Sequence, residues 1–206
     1  MGSNTKDVYI IIRRRRRKAS ILLFLNKNKG VDIMNDYNFT NVSEFIIKAY
    51  EYIADLYGKT FDDVQLMITT GAFQQSCYMY KMHPETNEVK NPRIRINVEE
   101  FDEYDDFQTR HYNKEFGTHL MHEYRTVLIR MLCHEMSHHI NIETFKYMDE
   151  EYADRLNDLE RYYEYGTEER KRAYRMIPEE YAADKNAADI LNNHLDNLLA
   201  LYQEIE

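Results

Sequence analysis

The most constraining feature of this sequence is a pair of histidines four residues apart within a long segment of helical periodicity. Apolar residues recur every three or four positions from about 118 to 141, and this predicts one long helix that Thr118 can cap. Residues four apart on a helix lie on one face, so His134 and His138 can direct their ring nitrogens at a single point. Two imidazoles arranged in this way are typical metal ligands.

Glu135 completes an HExxH pattern with the two histidines. It lies about 100° around the helix from His134, so its carboxylate can reach the same site without binding the metal. In this chemistry a zinc ion lowers the pKa of a bound water towards roughly 7, and the glutamate acts as the general base as the water attacks. The alternative is a pair of surface histidines near the negative end of the helix dipole.

A third ligand is expected from one of two segments that read Glu-x-x-Ala-Asp. Within a helix the Glu and Asp of this pattern share a face, so the Glu can bind the metal while the Asp supports a ligand histidine. Glu150, with Asp154, lies only 12 residues after His138 in a heavily charged stretch. Glu180, with Asp184, lies 42 residues after His138 and is followed by alanines that permit close helix packing. We predict Glu180 as the ligand with Asp184 behind it, and keep Glu150 as the alternative.

The two motifs together resemble the gluzincin branch of the zincin metallopeptidases. The small residues Ala187 and Ala188 are similar to those of ImmA/IrrE-like peptidases, and the resemblance covers about residues 93–191. It implies a zinc ion and hydrolysis of peptide bonds with Glu135 as general base. It also implies a protein or peptide substrate, bound in extended form along a strand such as 93–97. A further donor to the oxyanion is expected, and the spacing does not choose among four candidates, His139, Tyr163, Tyr174 and Arg175.

The remaining sequence predicts an α+β fold, in which an N-terminal helix and a small three-stranded sheet precede a helical half, and the resemblance implies that this fold is zincin-like. The helix is predicted over 41–57, because Asn41 and Glu44 form a capping box and Gly58 follows. Residues 99–106 hold six acids in eight positions and are predicted to be a loop. The other predicted elements are strands at 64–69, 76–81 and 93–97, and helices at about 149–164, 167–176 and 178–202.

Charge is distributed unevenly along the chain. The net charge is −9, but residues 1–34 carry nine Lys and Arg against two acids, a net of +7, which leaves −16 on residues 35–206. We predict that residues 1–34 are a basic, disordered arm and that residues 35–206 are a single zincin-like domain. The acidity of this domain argues against nucleic-acid binding except through the arm.

Cellular location and alternative functions follow from the remaining features. No apolar run approaches the roughly 20 residues that span a bilayer, so we expect no membrane contact. Two cysteines, Cys77 and Cys133, do not make a disulfide scaffold, and we expect a cytoplasmic protein. Besides a metallopeptidase, the sequence allows a non-catalytic zinc-binding regulatory or interaction module, or a nucleic-acid-associated protease that uses the arm.

Overall fold

The computed structural model describes residues 8–15, 18–25, 39–70, 75–83, 85–99, 103–145, 149–203 and 205. This part of the chain forms the predicted α+β fold. Its strands are β1 (Val8–Arg15), β2 (Lys18–Leu25), β3 (Gln65–Thr69), β4 (Cys77–Met82) and β5 (Val89–Asn97). Its helices are α1 (Phe39–Leu56), α2 (Glu103–Glu115), α3 (Tyr124–Phe145), α4 (Asp149–Tyr162), α5 (Glu168–Arg175) and α6 (Pro178–Gln203), with a short 3-10 helix at Gly58–Phe61. No helix in these ranges is both long and apolar enough to cross a bilayer.

The three predicted strands form a small mixed sheet. β3 and β5 are parallel, and β4 pairs with β5 in the antiparallel direction. β5 begins four residues earlier than predicted, because Asn91 and Pro92 are contained in the strand instead of ending it. Asn91 has a φ of 50°, and the register between β4 and β5 shifts between Met79 and Lys81. Such an irregularity accommodates a proline that cannot donate to the ladder.

Two further strands extend the sheet beyond β3, giving the order β2-β1-β3-β5-β4. β1 and β2 form an antiparallel hairpin, and β1 pairs with β3 from Tyr9 opposite Thr69 to Arg13 opposite Gln65. The structure therefore differs from the predicted disordered arm over residues 8–15 and 18–25. The β-branched run Val8–Ile12 and the apolar run Ile21–Leu25 both favour strands. The rest of residues 1–34 lies outside the described residues.

The hydrophobic core lies between the sheet and helices α1, α3 and α6. Alternate residues of β3 and β5 are fully buried in it, namely Leu66, Ile68, Ile94 and Ile96. The helical periodicity of α1 places Phe45 and Ile53 in the same core, and Phe45 meets Tyr202 of α6 edge to face with ring centroids 5.1 Å apart. The core thus fixes α3 and α6, the two helices that carry the predicted motifs.

Helix α2 begins at Glu103, so residues 103–106 of the predicted loop are helical, whereas residues 100–102 lie outside the described residues. The acidic run leads directly into α2, whose Phe107 and Tyr112 are buried. Acidic residues are favoured in the first turn of a helix, where they complement its dipole, so the run marks a helix start. The apolar positions of α2 come after these acids, so the acidic run by itself does not show a helical pattern.

Helix α3 begins at Tyr124, six residues later than predicted. Thr118 does not cap it, because the Thr118 hydroxyl donates to Asn113 Oδ1 at 2.7 Å. The Leu120 amide donates to the same oxygen at 2.8 Å, and Asn113 Nδ2 donates to the Leu120 carbonyl at 2.9 Å. These hydrogen bonds from Asn113 of α2 hold residues 118–120 in a loop. His119 and His122 therefore precede α3 and do not belong to it.

Candidate metal centre

The structure brings the two predicted motifs together on adjacent helices. His134 and His138 lie one turn apart on α3, with their Nε2 atoms 3.1 Å apart. Glu180, in the first turn of α6, faces both of them. Its Oε2 is 3.3 Å from His134 Nε2, and its Oε1 is 3.6 Å from His138 Nε2. The 42 residues between the motifs are thus folded so that three potential ligand atoms converge.

These three residues fit a metal ion. Two atoms that each lie about 2.0–2.1 Å from a tetrahedral zinc ion are about 3.3 Å from one another. The three separations in the cluster are close to that value. His134 and Glu180 are buried, whereas the His138 side chain keeps 20% of its surface exposed, so the cluster is approached from the His138 side. His134, His138 and Glu180 could therefore hold a metal ion.

Asp184 stands behind His134, where the sequence predicted it. Its Oδ1 is 2.8 Å from His134 Nδ1, on the ring edge opposite the cluster. The fully buried Tyr112 hydroxyl donates to the same oxygen at 2.7 Å, and His111 Nε2 lies 3.5 Å from Asp184 Oδ2. Contacts of this kind orient the ligands of metal sites. Sequence reasoning missed both α2 residues because it predicted no helix there, although a buried tyrosine in a polar segment usually needs a hydrogen-bond partner.

Arg175 places a permanent cation beside the cluster. From the end of α5 its Nη1 lies 3.3 Å from Glu180 Oε2, 3.3 Å from Asp184 Oδ1 and 3.4 Å from His134 Nε2. The side chain is buried, with 6% of its surface exposed. Its location could not be predicted from the sequence, where it was one of several candidates for an oxyanion donor.

The first Glu-x-x-Ala-Asp segment reaches the centre through a different residue. Tyr152 of α4 donates its hydroxyl proton to Glu180 Oε1 at 2.9 Å. Arg155, one turn further, lies 3.0 Å from the Glu179 carboxylate. Glu150, the alternative third ligand, is the second residue of α4, but its side chain lies outside the described residues. The helix predicted to hold an alternative ligand therefore supplies a hydrogen bond to Glu180.

Buried charges of both signs meet in the cluster. Burial raises the pKa of Glu180, but His138, His134 and Arg175 outweigh it and lower this pKa far below its usual range. The pKa of Asp184 is likewise lowered by Arg175 and His134 against the effect of burial. Burial lowers the pKa of His138 to about 4, whereas Asp184 and Glu180 overcome burial at His134 and raise its pKa to about 9. Two ionised carboxylates thus share a buried site with the Arg175 guanidinium and the His134 imidazole.

The remaining candidates occupy separate environments. Glu135, the predicted general base, is buried on α3 beside His134. Of the other residues considered as oxyanion donors, His139 is held between the Tyr78 hydroxyl at 2.8 Å and the Thr60 carbonyl at 2.9 Å. Tyr163 is 40% exposed. Tyr174 is half-buried, and a hydrogen bond joins it to Tyr152.

The expected substrate strand needs correction. Residues 93–97 of β5 pair with β3 on one side, and β4 covers residues 93–95 on the other. An extended peptide cannot add to a strand whose hydrogen bonds are already used on both sides. Within the described ranges β4 is the edge strand on this side of the sheet, and Tyr78 joins it to α3 through His139.

Comparison with known proteins adds no family. No protein-family model matches the chain, and no significant match was found among curated proteins or solved structures. The resemblance to zincins therefore stays a prediction from the two sequence motifs.

Proposed function

We propose that this protein is a zinc-dependent metallopeptidase. His134, His138 and Glu180 would be the ligands, and Glu135 the general base. One observation carries the proposal: two imidazole nitrogens and one carboxylate converge at separations of 3.1, 3.3 and 3.6 Å. They come from two motifs that lie far apart in the sequence. Two nitrogen donors and one carboxylate oxygen are a usual ligand set for catalytic zinc.

Each residue of the centre has a task in this proposal. Bound zinc supplies the Lewis acidity that lowers the pKa of a water molecule to about 7. Asp184 accepts the Nδ1 proton of His134 and thereby presents Nε2 to the cluster. Tyr152 donates its hydroxyl proton to Glu180 Oε1 and holds the carboxylate in place. Glu135 accepts the proton of the attacking water and returns it to the leaving amine.

The edge strand β4 is the proposed binding site for the substrate backbone. An extended peptide can add to such an edge by main-chain hydrogen bonds that do not depend on the peptide sequence. The Tyr78–His139 contact ties β4 to the residue next to His138, so a peptide on this edge would pass near the centre. This supports hydrolysis of unfolded or extended segments.

The test compares the wild type with Glu135→Gln. Both proteins are expected to bind one zinc ion per chain, measured by elemental analysis after dialysis. Cleavage of an unfolded protein or a peptide library is expected to fall by about 10²–10⁴ in Glu135→Gln, which is the contribution of a general base. The control is Glu143→Gln, which changes an exposed residue of α3 and should retain activity.

Two results would contradict the enzyme proposal. Equal cleavage by wild type and Glu135→Gln would exclude Glu135 as the base and point to a contaminating protease. Zinc binding by the wild type without cleavage of any member of the library would favour the alternative, a zinc-binding regulatory or interaction module. The dense set of buried ion pairs around Asp184 is the observation that favours such a structural role.

A further inference from the structure

We propose that Arg175 is a built-in counter-cation that occupies the metal-free centre and sets its affinity for divalent ions. Metal binding would then require the guanidinium to leave Glu180. This inference depends on the metal centre of the proposed function. It concerns a residue that a metallopeptidase mechanism does not need in this position.

The geometry makes Arg175 a competitor of the metal. Nη1 contacts two of the three ligand residues at once, Glu180 Oε2 at 3.3 Å and His134 Nε2 at 3.4 Å. A guanidinium is always protonated and offers no lone pair, so it cannot itself be a ligand. An ion about 2.0–2.1 Å from Glu180 Oε2 would lie no more than about 5.4 Å from Nη1. Like charges at that distance repel strongly when they are shielded from water.

Arg175 also has a second anionic partner. Its Nη1 donates to Asp184 Oδ1 at 3.3 Å, and Asp184 is not one of the three residues that converge on the metal position. The guanidinium can therefore release Glu180 and keep Asp184, and it is not left as an unpaired buried charge. Arg175 is the last residue of α5, and only two residues separate it from the start of α6. A long side chain at a helix end can make this shift without repacking the core.

The consequence is a minimum affinity that an ion must have in order to occupy the centre. An ion must bind its ligands strongly enough to displace the guanidinium from Glu180. Zinc stands near the top of the affinity order of divalent ions for nitrogen ligands, whereas magnesium binds such sites weakly. Arg175 would thus exclude abundant, weakly bound ions and admit a tightly bound one.

The test measures zinc affinity of the full-length, metal-free chain by competition with a chromogenic chelator. Arg175→Gln removes the charge and keeps a hydrogen-bonding side chain, and it is expected to bind zinc about tenfold more tightly or better than wild type. Arg172→Gln is the matched control on the same helix, because Arg172 is exposed and pairs with Glu168 at 2.8 Å. Its zinc affinity should equal that of wild type. Unchanged or weaker binding by Arg175→Gln would overturn the inference.

A second measurement uses the wild-type chain and does not depend on the folding of Arg175→Gln. The Nε–H signal of Arg175, assigned by its loss in Arg175→Lys, should shift when one equivalent of zinc is added, while that of Arg172 should not. An unmoved Arg175 signal at full zinc occupancy overturns the inference and leaves the proposed function intact. If neither wild type nor Arg175→Gln binds zinc, both the proposed function and this inference fail.

Discussion

Two segments of this chain share the pattern Glu-x-x-Ala-Asp, and they have different environments. On α6, Ala183 and Asp184 are fully buried, and Asp184 contacts His134 at 2.8 Å. On α4, Ala153 and Asp154 are exposed. Both segments are helical, as the pattern predicts. The pattern therefore specifies which residues share a helix face, and it does not specify whether that face is buried.

The residues that follow each pattern explain the difference. In α6 the next turn contains Ala187 and Ala188, which are buried and allow close packing against α3. In α4 the next turn contains Asn157 and Asp158, which remain exposed. A metal centre needs the first arrangement, because ligands must be held by packed neighbours. The predictions below exchange or remove features of the two segments, beginning with the largest expected effect.

Asp184→Asn is expected to destabilise the metal-free protein by about 3–5 kcal/mol. The change removes one member of a buried charge cluster and leaves Arg175 and His134 with one shared anion, Glu180, in place of two. Asp154→Asn, the same change on α4, should stay within about 0.5 kcal/mol. Urea unfolding of both variants measures the difference. Similar losses in the two variants would mean that Asp154 also belongs to a buried network.

Glu180→Gln is expected to weaken zinc binding by at least about 100-fold, because the change removes an anionic ligand. Glu150→Gln should leave the affinity unchanged if Glu180 is the third ligand. Chelator competition on the two variants decides between the ligands that the sequence left open. A loss confined to Glu150→Gln would assign the centre to α4.

The comparison of the two Glu-x-x-Ala-Asp segments also shows what the sequence can and cannot predict. The HExxH spacing and the Glu-x-x-Ala-Asp register identified five of the residues that meet at or border the centre, because each depends on local helix geometry. Tyr112 and Tyr152 could not be found in this way, since they reach the centre through the packing of α2 and α4. The predicted start of α3 is wrong for the same reason. The side chain of Asn113, from another helix, holds the loop that precedes α3.

Ala187→Leu tests the packing difference directly. Ala187 has no exposed surface, so the added side chain should overpack the α3–α6 contact and cost about 1–3 kcal/mol. Ala153→Leu on α4 places the same side chain in solvent and should change stability by less than about 0.5 kcal/mol. Thermal unfolding of the metal-free proteins is the measurement. Tolerance of leucine at 187 would show that small residues are not what brings the two motifs together.

Arg155→Gln has the smallest expected effect and tests the contact between the two segments themselves. Arg155 of α4 reaches Glu179 of α6 at 3.0 Å, beside the proposed ligand, but its side chain is 31% exposed. Ion pairs that water can screen contribute little, so we expect a loss below about 1 kcal/mol that shrinks further in high salt. Zinc affinity should not change, because Glu180 is held separately by the Tyr152 hydroxyl. A large loss of zinc affinity in Arg155→Gln would mean that α4 positions Glu180 through its neighbour, and the two segments would then act as one unit.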